Sequence, residues 1–368
     1  MSAQRIVVKL GTSTLTAGSN KLAPARLVDL ARQVAALHEA GHQVVLVSSG
    51  AIAAGREALG YPALPKFIPA KQMLAAVGQP RLMAIFEQFF AIYGLKVAQV
   101  LLTRADFADR RGYLNARNTL DALLMHRILP IINENDTVAT EEIRFGDNDH
   151  LSAQVANLIE ADLLLLLTDQ EGLLTGDPRQ DPKARLIEDI GPEPISEETW
   201  LAAGGTSTGL GTGGMITKLH AADLARHAGT TVIIAKGDEP DILVRIAHHE
   251  TLGTRFAPIV NKLEARKRYI LAGNRVAGEL SVDAGASRAL GRGGSLLPVG
   301  VVSVTGDFDR GDTIRVISPS GKAIALGLSN YAAKDIAAFR GRQSSEIETI
   351  LGFTFGDEVI HRNNMILL

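Results

Sequence analysis

Leu163-Leu164-Leu165-Leu166-Leu167-Thr168-Asp169 is the stretch whose reading decides the fold. Five leucines follow Asp162 and end in a polar pair. A bilayer span needs about 20 apolar residues, so this run is no membrane anchor. An apolar run without polar alternation fits a strand buried on both faces of a parallel sheet. Runs of the same kind lie at 5–10, 43–47, 97–102, 129–132 and 231–235. Helical patterns separate them, over 24–40, 71–93, 113–126, 149–159 and 215–228. In the first of these, Leu27, Leu30, Ala31, Val34 and Leu37 recur at helical spacing and Gly41 supplies the stop. The alternation predicts an α/β fold, with an open, mainly parallel sheet sandwiched by helices.

Polar clusters follow these strands: Gly11-Thr12-Ser13, Ser48-Ser49-Gly50, Asn133-Glu134-Asn135-Asp136 and Thr168-Asp169. Ligands of open α/β sheets bind outside the carboxyl ends of the strands. Four clusters at one sheet edge predict one site, while each cluster alone reads equally well as a cap or a turn.

Composition sets the outer bounds. The chain has 368 residues, 46% hydrophobic and 21% charged, with a net charge of −2. Those values describe a globular chain and give no global electrostatic reason to bind nucleic acid. No cysteine is present, which excludes disulfides, cysteine-ligated zinc and thiol catalysis. The first residues lack the apolar core of a signal peptide, so a soluble, cytoplasmic protein without membrane contact is expected.

Near residue 260 the texture changes. A basic stretch, Ala265-Arg266-Lys267-Arg268-Tyr269-Ile270, precedes short β-rich runs at 278–282, 299–304, 313–317 and 323–328, and helical patterns become scarce. The expected organisation is a large domain over 1–258, a linker over 259–275 and a small β domain over 276–368. From Lys262 onward there are 14 Lys+Arg against 11 Asp+Glu, which leaves 24 against 29 in the body. That asymmetry permits an anionic partner for the tail without requiring one.

The strongest local signal is Gly204-Gly205-Thr206-Ser207-Thr208-Gly209-Leu210-Gly211-Thr212-Gly213-Gly214-Met215, followed at once by a helical pattern with Lys218 one turn in. Backbone N–H groups at a helix start bind phosphate, and a lysine there adds charge. The loop is no Walker A sequence, and its Gly-x-Gly-x-x-Gly match follows a long loop instead of a first strand. Lys9 ends the first strand, where a buried lysine must be paired or face a ligand. Lys9 and Lys218 together suit phosphoryl transfer, which rests on positioning and charge stabilisation. Gly146-Asp147-Asn148-Asp149 opens a helix, so Asp149 reads as a cap, a holder of lysines or a carboxylate for Mg²⁺ or a substrate amine. Arg104, Arg110, Arg111 and Arg117 flank a helix entrance and suit a substrate, an oligomer interface or plain solvent. The nine histidines show no metal-ligand spacing, and no metal site is expected from side chains.

Six segments carry a resemblance to the amino-acid kinase superfamily. They are Val7–Ser13, Val47–Ile52, Asn133–Asp136, Phe145–Asp149, Leu167–Leu173 and Gly211–Lys218, and the tail resembles a PUA domain. The resemblance implies a kinase of the branch that phosphorylates the side-chain carboxylate of L-glutamate with ATP and Mg²⁺, at the start of proline biosynthesis. It further implies feedback inhibition by proline, a homo-oligomer and functional coupling to a reductase. It assigns Lys9, Lys218 and Asp149 to catalysis, with Asp149 orienting the two lysines. Glutamate falls to Ser49, Asp136 and Asn148; ATP falls to Lys9, Gly11, Thr168, Asp169, Thr212, Gly213, Gly214, Met215, Ile216, Thr217 and Lys218. Gln170 departs from the usual wording after Thr168-Asp169, which bears on adenine or ribose contacts. Two alternatives stay open: a sibling kinase acting on N-acetylglutamate, aspartate, carbamate or UMP, and RNA binding by the tail. Glu141-Glu142-Ile143-Arg144, beside the substrate motifs, is expected to be an inhibitor-sensitive loop.

Overall fold

The computed structural model describes residues 3–65, 67–139, 148–178, 181–204, 214–262 and 276–368. The chain divides into two compact units, one of Met1–Ala105 with Arg117–Asn261, the other of Asp106–Ala116 with Lys262–Leu368.

The first unit is built on eight strands: β1 (Arg5–Leu10), β2 (Gln43–Ser48), β3 (Val97–Leu102), β4 (Leu129–Glu134), β5 (Leu163–Thr168), β6 (Asp189–Ile190), β7 (Thr231–Lys236) and β8 (Thr254–Phe256). Their order is β3-β4-β2-β1-β5-β7-β8-β6. Every pairing is parallel except β7 with β8. The leucine run forms β5, buried at all six positions. Central β1 lies between β2 and β5, with Lys9 in register with Val47 on one side and Leu166 on the other.

Alternate strand residues point to opposite faces. Ile6, Val8 and Leu10 of β1 join a core with Leu46, Ile131, Leu165 and Ile233 and with helices Pro24–Glu39, Ala51–Ala58, Ile68–Ala91 and Ile242–Ala247. Helices Asp149–Leu158 and Met215–Arg226 pack together and against β1, β5 and β7. Helices Ala51–Ala58 and Ile68–Ala91 meet backbone to backbone. A Cβ on Gly55 would fall 1.9 Å from the Leu74 carbonyl oxygen, and one on Gly78 would fall 1.8 Å from that of Ala51. Both positions exclude any side chain.

Several elements go beyond the sequence reading. Thr12–Thr16, Ala51–Ala58, Arg104–Ala108, Glu197–Ala202 and Ile242–Ala247 are helices of one to two turns, too short to display an apolar period. Arg117, one of the four arginines left open between substrate, oligomer interface and solvent, is buried and pairs with Glu160 at 2.8 Å.

In the second unit, strands β9 (Gly278–Val282), β10 (Val301–Gly306), β11 (Thr313–Ile317), β12 (Ala323–Leu328) and β13 (Met365–Leu367) form a sheet of order β10-β9-β11-β12-β13. Its core includes Leu280, Ile314, Val316, Tyr331, Ile336, Phe339 and Ile360. Among the described residues, the expected scarcity of helices is corrected by three short ones, Ala284–Gly291, Ala333–Phe339 and Ile347–Leu351. Segment 106–116 belongs to this unit. Arg110 donates to Thr313 Oγ1 at 2.7 Å, Arg111 pairs with Asp309, and Arg310 pairs with Asn115 while covering the Phe355 ring at 3.8 Å.

Candidate active site

Three charged side chains meet where β1 ends and two helices begin. Asp149 is the first residue of its helix and is closed to solvent. Its Oδ1 lies 2.6 Å from Lys9 Nζ and its Oδ2 lies 3.1 Å from Lys218 Nζ. Thr217 Oγ1 stands 2.8 Å from Oδ2 and 2.9 Å from the Gly214 carbonyl, with one proton to give to either. Burial pushes the Asp149 carboxyl up, but Lys9 and Lys218 outweigh it and hold it down at about 2. The carboxylate therefore stays charged, and a lysine inside a central strand is tolerated because its counter-ion is buried with it.

This arrangement decides how Asp149 is to be read. It is no cap: Asn148 holds the N-cap position, and even Asn148 makes no side-chain capping bond. The Asp149 carboxylate instead sets the spacing of two ammonium groups carried by different elements.

One cleft beside the triad is lined by Lys9, Gly11, Thr12, Thr168, Asp169, Gln170, Gly214, Met215 and Lys218. A Cβ on Gly11 would sit in ordinary contact with Lys9 Nζ, at 3.6 Å. Thr168 Oγ1 donates to Asp169 Oδ1 at 3.1 Å. Lysines, hydroxyls and a helix start make this cleft fit the phosphates of a nucleotide.

A second cleft shares Thr12 and Ser49 with the first and is also lined by Gly50, Ala51, Arg56, Asn133, Asp136 and Asn148. Gly50 has φ +100° and turns the chain from β2 into helix Ala51–Ala58. That left-handed turn brings the helix start to the cleft, where free N–H groups favour a carboxylate. Burial pushes the Asp136 carboxyl up to about 6, against the opposing pull of Lys71.

The structure thus gathers Lys9, Asp149, Lys218, Gly11, Thr168, Asp169, Gly214 and Met215 around one cleft, and Ser49, Asp136 and Asn148 around the other. Ile216, expected at the nucleotide, is buried and absent from the cleft lining. Thr217 touches Asp149. Thr212, Gly213 and the segment Glu141–Arg144 lie outside the described residues. Arg56 escaped the sequence reading because a lone arginine in a short helix carries no local signal. Among the described residues, no group of three or more His, Cys, Asp or Glu side chains is arranged to hold a metal ion. No described helix is long and apolar enough to cross a membrane.

Residues 4–236 match the model of the amino acid kinase family, and residues 278–351 match the PUA domain. A glutamate 5-kinase of Shewanella amazonensis is 55% identical over 99% of this chain and 96% of its own. Those of Shewanella oneidensis and Herpetosiphon aurantiacus are each 54% identical, covering 99% and 98% of this chain and 98% of their own. The chain belongs to the amino acid kinase family, in its glutamate 5-kinase branch, with a C-terminal PUA domain.

Proposed function

We propose that the protein transfers the γ-phosphoryl group of ATP to the side-chain carboxylate of L-glutamate, the first step of proline biosynthesis. The observation that carries this reading is the Lys9–Asp149–Lys218 assembly beside two clefts that share Thr12 and Ser49. One cleft takes ATP through Lys9, Gly11, Thr168, Asp169, Gly214, Met215 and Lys218. The other takes glutamate through Ser49, Asp136 and Asn148.

The reaction forms a bond between a carboxylate oxygen and the γ-phosphorus and breaks the bond from that phosphorus to the oxygen left on ADP. A carboxylate is already deprotonated at neutral pH, so no general base is needed. The barrier is repulsion between two anions and the charge that builds on the transferred group. Lys9 and Lys218 offset both, and Asp149 holds the lysines in position before substrate arrives. Mg²⁺ carried on the nucleotide phosphates would add positive charge when bound.

The product is a labile acyl phosphate, which suits direct use by a reductase. Cytoplasmic location, homo-oligomerisation and feedback inhibition by proline complete the reading. A hydroxylamine trap for acyl phosphate tests it, using Mg-ATP with L-glutamate or N-acetyl-L-glutamate, each with and without proline. Hydroxamate from free glutamate alone, suppressed by proline, is the expected result. Hydroxamate only from the acetylated substrate moves the protein to a sibling activity.

A further inference from the structure

Asn148 stands at a helix N-cap yet leaves its side chain uncommitted to capping, because its amide is used elsewhere. Nδ2 donates to the backbone carbonyl of Ser48 at 2.6 Å and to Asn133 Oδ1 at 2.7 Å. A carbonyl can only accept, so the Ser48 contact fixes which end of the Asn148 amide is NH₂. The Glu134 backbone N–H donates to Asn133 Oδ1 at 2.9 Å, and an N–H can only donate, so the Asn133 oxygen is fixed independently. With its oxygen turned that way, Asn133 donates from Nδ2 to Gln79 Oε1 at 2.8 Å. Gln79 in turn donates from Nε2 to Gln99 Oε1 at 3.1 Å, on edge strand β3.

Four side-chain amides therefore run in one direction, with both amides nearest the substrate cleft set by backbone groups. The consequence lies at the last of them. Both amide hydrogens of Asn148 are spent, so it can present only Oδ1, an acceptor, to the cleft it lines with Asp136. An acceptor beside a carboxylate suits a free ammonium, which brings three donors and a positive charge. An acylated nitrogen brings one donor and no charge.

We infer that Gln79 is a positioning residue that favours the free α-ammonium of the substrate, acting through Asn133 on the position of the Asn148 oxygen. The inference rests on the proposed action on glutamate. Gln79 lines a neighbouring cavity and is absent from the lining of the substrate cleft. Without the Gln79 acceptor, a buried Asn133 hydrogen loses its partner; the amide keeps its orientation, but the Asn133 side chain is free to shift and to draw Asn148 with it.

The test uses the full-length enzyme and the hydroxamate assay. Gln79→Leu is expected to raise KM for L-glutamate about tenfold while kcat stays within about twofold and KM for ATP is unchanged. Glutarate, the same diacid without the ammonium, serves as a competitive inhibitor whose Ki is expected to be unchanged. Gln79→Glu keeps an acceptor for Asn133 and is expected to restore most of the lost affinity. Should the leucine variant melt early, Gln79→Met fills a similar volume and carries the same expectations. Equal losses for glutamate, glutarate and ATP, no loss at all, or failure of the glutamate variant to rescue overturns the positioning role. Wild-type enzyme that forms no hydroxamate from glutamate overturns the proposed activity first, and this role with it.

Discussion

Asp149 Oδ1 lies 2.6 Å from Lys9 Nζ, with both side chains almost closed to water. A buried pair of this kind needs further partners to offset desolvation, and Lys218 and Thr217 supply them at the second oxygen. The net positive charge left over, two lysines against one carboxylate, faces the nucleotide cleft through Lys9 and Lys218. On the proposed reading that surplus meets an anionic transition state.

Removing the carboxylate is therefore expected to cost both turnover and stability at neutral pH. Asp149→Asn should lower kcat about 100-fold or more, and Lys218→Ala should lose most turnover while the protein remains folded. The pH dependence carries its own sign. The folded-state pKa of Asp149 is held down at about 2, so its stabilisation is present above the ordinary carboxylate value near 4 and is lost as pH falls toward 2. The difference in Tm between wild type and Asp149→Asn should shrink across that window, which thermal melts will read.

Asp136 has the opposite sign. Its carboxyl is pushed up to about 6 by burial, so in the free enzyme it protonates as pH falls through 6. Below that point kcat/KM for glutamate should fall by about a factor of ten per pH unit. Asp136→Asn should lose this limb of the profile along with affinity. Stability runs the other way, greatest with the acid protonated and reduced as pH rises from about 4 through 6. The asparagine variant is accordingly expected to melt higher than wild type at pH 7, and a lower melt would count against the assignment.

Arg226 offers a test remote from the clefts. It is fully buried and donates to three backbone carbonyls: Ala257 at 3.0 Å, Glu193 at 2.9 Å and Gly191. Burial lowers its pKa, against the opposing pull of the Asp223 and Glu193 carboxylates. Arg226→Ala should destabilise the first unit by about 3–5 kcal/mol, from lost charge-assisted bonds and a cavity. Denaturant melts give the number directly.

Gly78→Ala tests the junction of the two glycine-bearing helices. The added methyl would strike the Ala51 carbonyl oxygen, and Ala51 lines the substrate cleft. Affinity for glutamate should fall at least about tenfold in whatever folded protein is recovered, with ATP affinity less affected. Substrate titrations of intrinsic fluorescence or of activity will separate the two.

Much of this architecture was written in the chain. Central strands β1, β2 and β5 are apolar throughout because both faces are covered, and such runs are visible without neighbours. Lys9, Asp149 and Lys218 each stood out as a polar residue at a strand end or helix start. The resemblance implied that Asp149 orients the two lysines, but the geometry of that contact was not legible, since it depends on β5 lying beside β1 and on two helices starting at the same edge. Gln79 and Arg56 were missed for a different reason. Each sits in a helix among ordinary neighbours, and its meaning comes only from what stands across the gap. Short helices such as Thr12–Thr16 span too little chain to repeat a pattern.

The sharing of Thr12 and Ser49 by the two clefts has a stereochemical consequence. On the proposed reading donor and acceptor occupy the enzyme together, and phosphorus is expected to pass between them in a single displacement with no phosphorylated residue on the way. One displacement turns the phosphorus inside out. A γ-thiophosphate made chiral with oxygen isotopes should emerge with inverted configuration, whereas retention would mean that the group had stopped on the protein.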